Sequence, residues 1–236
     1  MKKLFVLLSI ALWTPVGLQA QPYSGQRGFD SIHRNEISGY LSGGHNVVTG
    51  FFVGEGVHYT HHLNDRWSVG GGEQIHFFKQ LYSLDAKGSY RLPAGKTDFY
   101  FIAHALLNCY NLWNTNEIIF NVSALWESKH VDIRLGLSYI HYRMKQSSYT
   151  EPPTLIVGVG VNLRPRTSPW NIGLFIRTYD TYYYENWNVN WGIRFYARLQ
   201  EDLRLFGEFN VRPAGNMSQL ANRYETSLKI GLKYVW

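Results

Sequence analysis

The chain has 236 residues, 45% of them hydrophobic and 16% aromatic, with only 17% charged and a formal net charge of +6. Disorder needs low hydrophobicity together with high net charge, so this composition excludes it. Mean hydropathy is −0.25 and the one long apolar run lies at the very start, which excludes a polytopic helical membrane protein.

Residues 1–20 read as a secretory signal peptide. Lys2 and Lys3 form a basic start, Leu4 to Trp13 an apolar run, and Leu18-Gln19-Ala20 a small-residue cleavage site before Gln21. The run is too short to span a bilayer as a helix. Gln21 stands where a lipid-anchored lipoprotein would need Cys. Cleavage removes two Lys and no acid, so the exported chain stays basic. Its single Cys109 has no intramolecular disulfide partner. Residues 21–32 are polar and read as a periplasmic segment that covers one mouth of the domain formed by residues 33–236.

From residue 33 to 236 the sequence alternates. Val131, Ile133, Leu135, Leu137 and Tyr139 take one face, with Asp132, Arg134, Gly136 and Ser138 on the other. The same pattern runs through Leu155, Val157, Val159, Val161 and Leu163, then through Trp187, Val189, Trp191, Ile193, Phe195, Ala197 and Leu199. It closes the chain with Leu228, Ile230, Leu232, Tyr234 and Trp236. A period of two is the signature of strands. Turn clusters divide them in two series. One is short, at 63–66, 93–96, 127–130, 164–169 and 200–202. The other is mostly longer, at 44–50, 78–80, 107–116, 143–153, 180–186 and 212–223. Five and six connections predict twelve strands, and an even number puts both barrel termini on one side.

Alternation alone does not say which face is inside, so a soluble sandwich and a membrane barrel both remain. Three features favour the membrane. The apolar face persists for about ten residues per strand, the length of a tilted transmembrane strand. Aromatics gather where apolar runs end: Tyr59, Trp67, Tyr90, Phe99, Trp126, Trp170 and Trp236 near the short turns, and Tyr82, Tyr139, Tyr179 and Trp187 near the long ones. Short turns on one side and longer ones on the other match periplasmic and extracellular ends. The expected fold is all-β, an antiparallel transmembrane β-barrel of about twelve strands.

The last octet, Lys229-Ile230-Gly231-Leu232-Lys233-Tyr234-Val235-Trp236, runs polar-x-Gly-x-x-aromatic-x-aromatic. It resembles the C-terminal β-signal of bacterial outer-membrane proteins, with Lys229, Gly231, Tyr234 and Trp236 as its assembly-signal residues. The whole chain is similar in style to small outer-membrane barrels of Bacteroidota. The resemblance implies an integral place in the bacterial outer membrane, contact with its lipids, and the barrel-assembly machinery as a partner during insertion. It implies no single activity.

Carried across the strands, the alternation assigns an interior lined by Lys87, Arg91, Arg134, Arg177, Arg194, Arg198, Arg204, Arg212, Lys229 and Lys233. The interior acids are Asp85, Glu117, Asp132 and Glu208, leaving an excess of cations that would concentrate anions. The competing reading is a charge network that fills and stiffens the barrel. His58 and His62 share a face but lie about 13 Å apart along a strand, while His61 points the other way, so this run does not make a zinc site unaided. No metal and no cofactor is expected. No local catalytic motif stands out, although Ser68, Gln74, His58 and His76 fall on one inward face.

Glu55 and Glu73 violate the pattern, since both fall on the lipid face. A three-residue turn would set them opposite one another. A bulge at Gly70-Gly71-Gly72 that turns Glu73 inward, or exposure of the acids at headgroup level, is one remedy; a partner protein or a bridging cation is another. Basic residues scattered through strands form no groove-sized patch, so nucleic acid is not expected. Two functions remain: a small passive channel or transport-associated barrel with a basic lumen, or a non-conducting accessory barrel of an envelope complex. A lipid-modifying enzyme stands third.

Overall fold

The structure, a computed structural model, describes residues 35–46, 50–77, 81–110, 115–178, 189–213 and 223–236. The leader, the segment 21–32, Tyr179 and Trp187 lie outside the described residues. The strands are β1 (Glu36–Asn46), β2 (Gly50–His62), β3 (Trp67–His76), β4 (Leu81–Ala94), β5 (Thr97–Tyr110), β6 (Thr115–Glu127) and β7 (Val131–Arg143). They continue with β8 (Ser148–Thr150), β9 (Thr154–Asn162), β10 (Trp170–Arg177), β11 (Asn190–Arg198), β12 (Leu203–Pro213) and β13 (Arg223–Val235).

Antiparallel pairing links the strands around the sheet, and β13 returns to β1 from Glu36↔Val235 to Asn46↔Glu225. The sheet therefore has no free edge. β8 and β9 both pair with β7 and together make one stave, so the closed barrel has twelve. Between them lie Pro152 and Pro153, which have no N–H for the ladder. The connection expected over 143–153 is thus mostly a hairpin. Met144 N donates to Ser147 O, and Tyr149 stacks on Tyr142 with 6.1 Å between ring centres.

Following the pairings once around the barrel displaces the register by about 14 residues, which with twelve staves gives a strand tilt of roughly 40° and a backbone radius of about 12 Å. Short turns are locally encoded. Gly95 takes φ 67, the positive value that tight hairpins need between Ala94 and Thr97. Asn64 Oδ1 accepts from Arg66 N and Trp67 N, holding a turn in which Leu63 N donates to Trp67 O.

The barrel is inside out relative to a soluble protein. Leu41, Leu174, Ile176, Leu135, Trp191 and Leu228 stand exposed on the outer surface, while charged side chains such as Arg204, Asp132 and Lys233 are buried within. In water this arrangement would leave a continuous apolar surface uncovered. In a bilayer it satisfies both faces. Aromatics ring the short-turn end: Trp67 packs on Tyr90 at 4.8 Å, Trp236 lies against Tyr234 and Tyr59 at 5.8 and 6.1 Å, and Arg164 covers Trp170 at 3.6 Å.

Candidate functional site

The barrel interior gathers the chemistry, because alternation sends every second side chain inward. Lys87 and Arg91 on β4, Arg134 on β7, Arg177 on β10 and Arg194 and Arg198 on β11 point inward. So do Arg204 and Arg212 on β12 and Lys229 and Lys233 on β13. Seven of these lie on β10–β13. They run from Arg198 and Arg204 near the short-turn mouth, past Lys233, Arg194, Lys229 and Arg177, to Arg212 near the long-loop mouth.

The acids are more numerous than the alternation suggested. Asp85, Glu117, Asp132 and Glu208 face inward, joined by Glu36, Asp98, Glu127 and Glu225. These four sit at or near strand ends, where a sequence reading cannot separate strand from turn. Arg166, placed in a turn by the same reading, also reaches inside. The cationic excess is correspondingly smaller.

Most of these charges are engaged. Asp132 Oδ1 accepts from Arg166 Nη2 at 2.5 Å and Arg194 Nη2 at 2.6 Å, and Arg166 Nη1 lies 3.0 Å from Glu127 Oε1. Arg177 holds Glu208 with both terminal nitrogens, at 2.5 and 3.3 Å, across 31 residues of sequence. Lys233 Nζ lies 2.7 Å from Glu36 Oε2, and His62 Nε2 3.4 Å from the other oxygen. Arg91 pairs with Asp98 nearer the mouth. Charge-assisted and partly bidentate contacts of this kind fix side chains that a 12-stave barrel would otherwise leave free. Glycine makes the room: at Gly160 a Cβ would strike both Arg194 and Asp132, and at Gly56 the Tyr40 ring.

The wall of β4–β6, extended by Ile140 on β7, differs. Tyr100, Ile102 and Leu125 form one buried cluster, and Leu106, Ile119 and Ile140 another. Around them are Ser83 donating to Asn108 at 2.6 Å and Asn108 donating to Glu117 at 2.6 Å. His58 Nε2 and His104 Nε2 both donate to Asp85 Oδ2, at 3.1 and 3.2 Å. Gly72, between the strands of His58 and Asp85, leaves the space for that imidazole.

The residues considered for catalysis share this region without assembling. Ser68 Oγ bonds Ser89 Oγ at 2.6 Å, His58 is held by Asp85, and Gln74 joins Tyr40 to His76. No nucleophile–base pair links Ser68 to either histidine. His61 faces outward and bonds Asn35 Oδ1 at 2.5 Å. Among the described residues, no three of His, Cys, Asp and Glu are arranged to hold a metal ion.

Glu55 and Glu73 both face outward. The register from Gly54↔His76 to His62↔Ser68 is unbroken, so no bulge turns Glu73 inward. The Asn64 turn is longer than three residues and sets Glu55 opposite Ile75 and Val57 opposite Glu73. The two carboxylates are diagonal neighbours, not a directly opposed pair. Glu73 Oε2 accepts from Tyr82 at 3.1 Å.

A closed twelve-stave barrel with an apolar exterior and a charged interior is the fold of bacterial outer-membrane proteins. The chain is similar to the KdgM porin, with a TM-score of 0.56 at 7% identity over 86% of this chain and 99% of that one. It is similar to the NanC porin, at 0.52 and 11% identity over 86% and 99%, and to the Acinetobacter baumannii outer membrane protein Omp33, at 0.51 and 9% over 87% and 99%. No family model and no curated protein matches. At these identities the likeness concerns the fold.

Proposed function

We propose that this protein is a small passive channel of the outer membrane that favours anions. The observation that carries the reading is the cationic bias of β10–β13, where Arg198, Arg204, Lys233, Arg194, Lys229, Arg177 and Arg212 outnumber the inward acids of the same strands, Glu208 and Glu225. Fixed charge of one sign beside a narrow path raises the local concentration of counter-ions and selects by sign. The fold shared with the KdgM and NanC porins supports it, and one KdgM structure was determined in complex with disordered oligogalacturonate, a carboxylate-bearing ligand of that protein. In this reading the chain is exported through its cleaved leader and inserted by the barrel-assembly machinery, which meets the aromatic end of β13. The seam there is backed by Asn35 N donating to Trp236 O at 2.8 Å and Trp236 N to Asn35 O at 3.0 Å.

A second reading is a non-conducting accessory barrel of an envelope complex. It is favoured by packing: Arg204 is 1% exposed, Lys233 3% and Asp132 3%, so side chains fill the interior. The channel reading requires a path past these side chains. Liposome swelling separates the two. Vesicles with purified protein should admit small organic anions such as acetate or gluconate faster than cations of equal size. Vesicles as tight as protein-free controls to every solute would favour the accessory barrel.

A further inference from the structure

On β7 the outward column ends in Leu135, Leu137, Tyr139, His141 and Arg143, and Lys145 follows in the turn to β8. Arg143 and Lys145 are exposed, and neither has an ion-pair partner among the described residues. Among the described side chains, no other Lys or Arg stands on the outside of the long-loop rim. Residues 139–150 contain no Asp or Glu. The opposite end of the barrel differs: Asp65 precedes Arg66, and Glu201 and Asp202 occupy the turn before β12. Inside the barrel, Arg194 and Arg177 are met by Asp132 and Glu208. The β7–β8 hairpin alone presents positive charge without an acid.

The hairpin is held in shape and placed at a definite height. His141 Nδ1 lies 2.8 Å from Thr150 Oγ1, and Glu151 N donates to Ile140 O at 2.9 Å. The first contact leaves Nε2 of the imidazole for another partner. Below the hairpin, Ile118, Phe120, Leu135, Leu137 and Tyr139 are exposed on the outer surface, with Phe120 opposite Tyr139 and Ile118 opposite His141. Successive outward residues of a strand are about 6.6 Å apart, or about 5 Å in height at a tilt of roughly 40°. His141 is therefore about 5 Å and Arg143 about 10 Å above Tyr139, against a headgroup layer roughly 5–7 Å deep. The long stems of Arg143 and Lys145 can reach back into that layer.

We propose that this strip binds a phosphorylated glycolipid of the outer leaflet, of the lipid A type. Its acyl chains lie along Leu135, Leu137 and Phe120, and a phosphate of its sugar headgroup meets Arg143, Lys145 and the free side of His141. A phosphate monoester carries about −1.5 to −2 charges at pH 7, which two cations without a neighbouring acid complement. Arg binds phosphate oxygens through two parallel N–H groups, and Lys adds a mobile point charge. A soluble anion would use the charge and leave the apolar column uncovered. A lipid without phosphate would cover the column and leave the cations unmatched. A phosphorylated lipid at headgroup height satisfies both.

The test is native mass spectrometry of the folded protein in detergent micelles, titrated with diphosphoryl lipid A. EDTA is present so that no divalent cation bridges phosphates. The unmodified protein should retain one lipid A per chain. Arg143→Glu together with Lys145→Glu should weaken binding at least tenfold. Arg66→Glu together with Lys96→Glu, at the opposite end of the barrel, should leave it within about twofold. Fully dephosphorylated lipid A and dioleoyl phosphatidylglycerol should each bind the unmodified protein at least tenfold more weakly. Heat-shifted gel migration shows whether the hairpin variant folds; if it does not, Arg143→Gln with Lys145→Gln takes its place with the same expectation. No retained lipid A, equal binding without the hairpin cations, equal loss on changing the opposite end, or equal binding of either comparison lipid would each overturn the proposal. Conductance does not enter the readout, so the lipid site stands or falls apart from the channel.

Discussion

The two walls of the barrel interior solve the same problem by different physics. On β4–β6 two apolar clusters, Tyr100 with Ile102 and Leu125, and Leu106 with Ile119 and Ile140, are set among hydrogen-bonded polar side chains such as Asp85, Asn108 and Glu117. On β10–β13 the inward side chains include seven Arg and Lys, held by Glu208 of the same wall and by acids from other strands, Asp132 from β7 and Glu36 from β1. The first wall gains from removing apolar surface from water. The second gains little net stability from ion pairing, because desolvation offsets most of the attraction, but loses heavily when one partner is deleted. That contrast is the physical basis for assigning traffic to β10–β13.

The largest expected effect removes the comparison altogether. Deleting Tyr234 to Trp236, or changing Trp236 to Asp, strips the aromatic anchor from the strand that closes against β1. Heat-modifiable protein in the outer membrane should then fall to near background; wild-type levels would contradict the role given to this end.

Within the folded barrel, Asp132→Ala should cost about 3–5 kcal/mol, since it leaves Arg166 and Arg194 buried without their shared acceptor. Urea unfolding in micelles reads this directly. Leu106→Ala on the other wall should cost about 2–5 kcal/mol through a cavity. Raising the salt concentration should change neither cost by much, because screening has little access to either buried site. Asp98→Ala is the sharpening control. Its pair with Arg91 is about a quarter exposed, and its loss should cost under about 1 kcal/mol. A rim effect as large as that of Asp132 would mean that burial does not organise these ion pairs.

The fold was legible because alternation, turn spacing and the aromatic terminus all report local rules. Faces followed from the same periodicity, so Arg177, Arg194 and Lys229 could be assigned to the interior without coordinates. Pairing could not. Which acid meets which Arg depends on register, and register depends on loops. The Asn64 turn shows this: its side chain caps two backbone N–H groups, lengthens the loop and moves Glu55 from Glu73 to Ile75. Strand ends hid Glu36, Asp98, Glu127 and Glu225 for a related reason, since alternation has no meaning until the end of a strand is known. Arg166 was hidden in a turn that folds back over the mouth to reach Asp132. The apolar cluster on β4–β6 was open to reading, because Ile102, Leu106 and Ile119 fall on the same faces as His104, Asn108 and Glu117.

The most direct test of the cationic wall is the reversal potential of purified protein in a planar bilayer under a salt gradient. The account predicts a small conductance with anions more permeant than cations. Arg194→Glu together with Arg198→Glu should move the reversal potential toward the cation side, because side-chain charge close to the ion sets selectivity. Cation selectivity in the unmodified protein, or a potential indifferent to both substitutions, would contradict the assignment of traffic to β10–β13.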